Sequence, residues 1–191
     1  MPIKRSAAVI LALIMMLGCL VGCGSQYSPG GNSLNDSSSW VSVTSEDGKY
    51  QLQVPAKWKD LKGQLSQDAT LEYGDPSKEQ YLMLLPESKE SLSMNFKEYT
   101  TVILHNIASN MENAVIDQTA DIAIQETPAT LTGISGSSDQ IKVQYWVYTV
   151  ETQQDFLQVV TCTLQSKAEE TKPLIEQVVG TLQPVSEESK Q

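Results

Sequence analysis

Arginine is nearly missing from this chain: Arg5 is the only one, so beyond it all positive side-chain charge at neutral pH rests on lysine. Bidentate recognition of carboxylate or phosphate favours the arginine fork, and nucleic-acid binding draws on clustered Lys and Arg against phosphates. The balance runs the other way, with 13 Lys and Arg against 23 Asp and Glu and a formal net charge of −10. No nucleic-acid partner is expected. Histidine is equally scarce. His105 stands alone, within a stretch of helical periodicity and with neither a nucleophile nor an orienting group nearby, so it reads as a helix-surface or partly buried residue rather than a general base. One imidazole and few thiols leave too few ligands for a closed transition-metal site. There is no Gly-rich phosphate loop and no Asp-x-Asp-x-Asp-Gly calcium loop. Gly133-Ile134-Ser135-Gly136 falls short of a nucleophile elbow, since Ser137 stands where the second glycine belongs; a turn is expected there. No catalytic residue, cofactor site or metal site is assigned, beyond loose surface binding of calcium at Glu46/Asp47, Glu169/Glu170 or Glu187/Glu188.

What the chain does have begins at its N-terminus. Lys4 and Arg5 precede an apolar run from Ala7 to Val21, the layout of a secretory signal peptide. The run is shorter than the roughly 20 apolar residues of a membrane span. It closes on Leu20-Val21-Gly22-Cys23, which resembles the lipobox of bacterial lipoproteins. The resemblance implies a diacylglyceryl group on the Cys23 thiol, cleavage between Gly22 and Cys23, and a palmitate-bearing mature chain. Met16-Leu17-Gly18-Cys19 matches less well, with Met at the position the lipobox fills with Leu and Leu where a small or β-branched residue is usual. At about 0.8 kcal/mol per buried methylene, one acyl chain binds marginally and two or more hold a protein stably. The expected location is the extracytoplasmic face of the cell membrane, held by lipid. Gly24 after the cysteine offers no acidic inner-membrane retention signal.

Loss of residues 1–22 removes Lys4 and Arg5 and leaves 11 lysines against 23 carboxylates, a side-chain charge of −12. Anionic headgroups repel such a surface, so the folded part is expected to stand off the membrane. With Cys19 in the signal and Cys23 lipidated, Cys162 is alone and no intrachain disulfide is available. Stability must come from a core. A single domain over residues 40–185 is long enough, since a domain near that size buries roughly 68–70% of its unfolded surface.

Residues 23–39 hold the lipidated cysteine and a Gly, Ser and Asn-rich stretch that cannot bury enough apolar surface to order itself; a flexible tether of roughly 20 Å follows from its length. Residues 186–191 are expected to form a disordered tail. Within the domain, alternation in Trp40–Thr44 and Tyr50–Val54 around Asp47-Gly48 predicts a hairpin. A second is predicted from Thr70–Tyr73 and Tyr81–Leu85 across Gly74-Asp75-Pro76. Asn95 followed by Glu98 reads as an N-cap with an acidic N3 residue, and Phe96, Tyr99, Ile103 and Ile107 extend a helix to about Asn110. Strands follow at Ala114–Asp117, Asp121–Ile124, Ala129–Ser135, Gln140–Val150 and Asp155–Leu164. In the fourth, Ile141, Val143, Tyr145 and Val147 share one face and Trp146, Tyr148 and Val150 the other, which predicts a central strand covered on both sides. A last helix is predicted from a Ser166 cap with Glu169, or from Pro173 at its first position, through Val179 to Gly180. The fold class is α+β, a mostly antiparallel sheet flanked by helices.

The stretch Gly48-Lys49-Tyr50-Gln51-Leu52-Gln53-Val54-Pro55-Ala56-Lys57-Trp58, with this element order and a terminal amphipathic helix, resembles the PsbP-like fold, which small bacterial lipoproteins also show. The resemblance spans nearly all of residues 40–185. It implies an αβα sandwich and a role in binding protein partners or supporting a membrane complex rather than catalysis.

Of the remaining candidates, Cys162 alternates with Val160 and Leu164 on one strand face and reads as a small buried hydrophobe rather than half of a thiolate dyad with His105. Trp40, Trp58 and Trp146 read as core rather than as the lining of a ligand cleft. The expected function is a membrane-anchored, extracytoplasmic, non-enzymatic binding or accessory domain with a protein partner. The alternative is a lipoprotein that binds a small molecule or metal ion for a transporter.

Overall fold

The computed structural model describes residues 40–185. The expected signal peptide, with Gly22, Cys23, the expected tether and the expected tail at 186–191, lies outside the described residues. β1 (Trp40–Thr44) and β2 (Tyr50–Pro55) form the first expected hairpin. Gly48 supplies the turn's positive φ of 69°, a conformation that costs glycine little. β11 (Gln183–Pro184) adds to the far side of β2, giving a small sheet in the order β1-β2-β11.

The main sheet runs β3 (Lys59–Asp60), β4 (Leu71–Asp75), β5 (Gln80–Ser88), β10 (Asp155–Leu164), β9 (Ile141–Glu151) and β8 (Thr127–Ser138). Its last edge is shared by β6 (Glu112–Ile116) and β7 (Ala120–Ile124), which pair end to end with β8. Every pairing is antiparallel. β9 is the two-faced strand its sequence predicts. Val143, Tyr145 and Val147 join Tyr99, Ile103 and Ile107 of α1 (Phe96–Ser109) in one buried cluster. Trp146, Tyr148 and Val150 join Leu52 and Val54 of β2 and Ile175, Val178 and Val179 of α2 (Ala168–Val179) in the other. The layers are thus α1, main sheet, then α2 beside the small sheet. Fully burying residues such as Val147, Val150 and Ile175 contributes about 1.5–3 kcal/mol each, and these two clusters replace any disulfide.

The α1 cap is as predicted: Asn95 Oδ1 accepts from the Glu98 backbone N–H at 3.0 Å, and Glu98 Oε2 accepts from the Asn95 backbone N–H at 3.0 Å. Four details differ from expectation. The β4–β5 turn lies at Pro76–Glu79, not at Gly74-Asp75-Pro76, and Gly74 stays in β4 paired with Tyr81. A Cβ at Gly74 would run into the Gln80 backbone carbonyl, so the glycine serves close strand approach. Ser166 caps nothing, because a 3-10 turn over Gln165–Lys167 leads straight from β10 into α2. Pro173 sits inside α2, not at its first position, at the cost of one intrahelical hydrogen bond. Gly133–Gly136 is β8 strand rather than turn, because its whole length pairs with β9. β3 and β11, two residues each, are too short to carry any periodicity.

Candidate functional site

The residues singled out by chemistry do not converge. His105 is exposed on α1, where Ile103, Leu104 and Ile107 take the buried face. Cys162 lies on the α1 side of the sheet, with Tyr81 and Tyr145 as its cross-strand partners. Burial pushes its thiol up to about 12, against a smaller opposing effect of the Tyr145 hydroxyl, so it stays protonated at neutral pH and is a poor nucleophile. Trp58 and Trp146 are buried in the α2-side cluster with Trp40 packed against it. The Trp58 indole N–H is buried with no acceptor among the described residues. Among the described residues no group of three His, Cys, Asp or Glu side chains could hold a metal ion. Glu46 is paired with Lys62 at 2.9 Å instead.

Among the described residues, four internal polar clusters were missed by sequence reasoning. The Asp155 carboxylate accepts from the Tyr50 hydroxyl at 2.7 Å and Lys49 Nζ at 3.2 Å, tying the first hairpin to the start of β10. Burial raises the Tyr50 pKa, so the phenol remains a donor. Glu72 is buried and accepts three backbone N–H groups, from Gln64, Leu65 and Ser66, which holds the loop between β3 and β4. Glu87 Oε1 accepts from the Tyr99 hydroxyl at 3.0 Å and from Gln158 Nε2 at 2.6 Å, joining α1, β5 and β10. Thr149 shares hydroxyl hydrogen bonds of 2.7 Å with both Thr100 of α1 and Thr130 of β8. The acidic members are spent on internal donors and fix elements in place. Buried polar groups that are hydrogen-bonded within the fold are structural in effect.

An open depression of about 450 Å³ lies against Ile141, Lys142, Leu164, Gln165 and Ser166, lined mostly by apolar surface.

The open edge of the main sheet is more informative. From Glu112 to Asp121 every residue except Ala114 is exposed. Val115 and Ile116 are among the large apolar residues left to solvent, at 58% and 38%. Asp117 N–H donates inward to the Gly133 carbonyl at 2.9 Å, and Ile116 opposes Ile134. Antiparallel pairing alternates direction along a strand, so the N–H and C=O of Ile116 point outward. The charge here has one sign. Between Glu98 and Ile141 there is no Lys or Arg, while Glu112, Asp117, Asp121 and Glu126 all fall on or beside β6 and β7. None of these four forms a salt bridge within the described residues.

An antiparallel sheet with one helix on each face and a small sheet beside the second is an α+β fold. The chain matches no protein-family model and no curated protein, but solved structures match its shape. Cyanobacterial PsbP from Synechocystis sp. PCC 6803 aligns with a TM-score of 0.55 at 14% identity, over 82% of this chain and 98% of that one. LpqN, involved in cell envelope biogenesis of Mycobacterium tuberculosis, aligns with a TM-score of 0.52 at 14% identity, over 77% and 91%. A protein of unknown function from Pseudomonas aeruginosa aligns at 0.51 and 14% identity, over 78% and 99%. At such identity the likeness establishes the α+β fold read from the sequence.

Proposed function

We propose that this protein is a lipid-anchored, extracytoplasmic accessory protein that binds a protein partner at the cell envelope and has no enzymatic activity. The observation that carries the reading is the division of its polar groups. The acidic groups of the buried clusters are satisfied internally, while a row of strand backbone with exposed Val115 and Ile116 is left open at the β6–β7 edge. Open backbone and exposed apolar side chains suit association. The N-terminal Lys4-Arg5, the apolar run and Leu20-Val21-Gly22-Cys23 support the anchor, and the fold likeness to an envelope-biogenesis protein agrees with the location. Two measurements test the proposal. Cys23→Ala should abolish incorporation of labelled palmitate, and incorporation by the variant would remove the anchor. Crosslinking in intact cells should recover a membrane or envelope protein; turnover of a substrate by the purified protein with no crosslinked partner would refute the accessory role.

A further inference from the structure

The unpaired edge and its charge narrow the kind of partner. We infer that β6 and β7 receive an extended, cationic segment of another protein, which adds to the main sheet as an extra strand beyond β6. The inference rests on the accessory reading above and names the chemistry of its partner.

Three observations fit together. The outward N–H and C=O of Ile116 are the groups strand addition uses for affinity, and Val115 and Ile116 supply apolar side chains for alternate residues of an incoming strand. Carboxylates at Glu112, Asp117, Asp121 and Glu126 surround that strip, with no cation from Glu98 to Ile141 to neutralise them. The edge also carries a register shift between Glu112 and Val115, with Asn113 at a φ of 53°. Bulges and edge charges are devices that stop identical chains from pairing edge to edge. Two copies of this edge would bring like charges face to face, which disfavours self-association. The same carboxylates attract lysines spaced along an extended peptide. What repels a second copy therefore selects a basic strand.

The test uses the full chain in a non-ionic detergent and fluorescent peptides of about ten residues, a usual strand length. One alternates lysine with valine, the second alternates glutamate with valine, and the third is the lysine peptide broken by a central proline. The lysine peptide should bind and weaken as salt rises, and the other two should bind at least about tenfold more weakly. Ile116→Pro removes an outward N–H while leaving the inward bonds of the ladder, and proline is tolerated on that side of an edge strand; it should weaken binding by a similar factor with an unchanged circular dichroism spectrum. Asp121→Lys, away from the ladder of β6, should reduce affinity and flatten the salt dependence. Equal binding of the lysine and glutamate peptides, no binding of the lysine peptide, or full binding by folded Ile116→Pro would overturn the inference. So would a concentration-dependent dimer in sedimentation that Ile116→Pro abolishes, since the edge would then belong to a second copy. Crosslinking separates this inference from the broader reading: a cellular partner retained by Ile116→Pro would sink the edge and leave the accessory role standing.

Discussion

Tyr50 donates its hydroxyl proton to Asp155 at 2.7 Å, across 105 positions of sequence, and both residues are buried. The bond fastens the small sheet to the main sheet at the point where β10 begins. Thr152 completes the arrangement: its hydroxyl donates to the Asp155 carbonyl at 2.7 Å and accepts from the Asp155 backbone N–H at 2.9 Å. Tyr50→Phe keeps the ring and removes the donor, leaving a buried carboxylate with Lys49 as its side-chain partner. A loss of about 1.5–3 kcal/mol is expected, the range for hydrogen bonds to charged groups. Lys49 is half exposed, so Lys49→Ala should cost less, about 1 kcal/mol or below. Urea unfolding of the two variants decides the order; a larger loss for Lys49→Ala would contradict it.

Glu72 holds the loop after β3 by taking N–H groups from Gln64, Leu65 and Ser66. Glu72→Ala deprives Leu65 and Ser66 of their acceptor, while the Gln64 N–H keeps the Leu61 carbonyl at 2.8 Å. Stability should fall by about 2 kcal/mol or more, and limited proteolysis should cut first between residues 61 and 70. Unchanged protease resistance there would show that the loop is held by other means.

Two glycines make a contrast. A Cβ at Gly74 meets the Gln80 backbone carbonyl, whereas one at Gly133 meets the Asp117 carboxylate. Backbone cannot step aside, but the end of an exposed side chain can. Gly74→Ala should therefore destabilise by about 1–3 kcal/mol, as overpacking does, and Gly133→Ala by clearly less. Thermal melts of both variants check the ranking.

Cys162 sets a pH dependence whose sign follows from its raised pKa. The folded chain holds the neutral thiol up to about 12, by burial, while the unfolded chain ionises near 8.5. Below the unfolded value the contribution is fully present, and it is lost as pH rises from there toward the folded value. Cys162→Ala should abolish the part of the alkaline decline that begins before tyrosines start to titrate near 10. Native Cys162 should also resist iodoacetamide at pH 8 and react in urea. Rapid alkylation of the folded protein would refute both statements.

The α1 cap was legible because Asn95 and Glu98 meet within one helical turn, and β9 was legible because its two apolar faces alternate along a single strand. The turn after β4 was not. Gly74-Asp75-Pro76 has the composition of a turn, but Gly74 answers to the backbone of β5, a contact that composition does not report. Ser166 failed as a cap for a related reason: the 3-10 turn leaving β10, not local side-chain chemistry, determines where α2 starts. Of the candidate residues, the packing of Cys162 and Trp146 against the core followed from strand alternation, and the burial of Trp58 from its aromatic bulk. The buried acceptors Asp155 and Glu72 and the half-buried Glu87 look in sequence like ordinary surface carboxylates, and the acidic residues around β6 look scattered.

By itself the amino-acid order determined the run of strands and helices, the two-sided main strand and the anionic balance, since hydrophobic period, capping and composition act over a few neighbouring residues. Only the tertiary structure decided which polar side chains meet and which strand is left without a neighbour. Tyr50 reaches Asp155, and Ile116 faces solvent, because strand order in the sheet brings together or separates residues far apart along the chain. Those long-range pairings turn an acidic α+β domain into one with a single-signed, open edge.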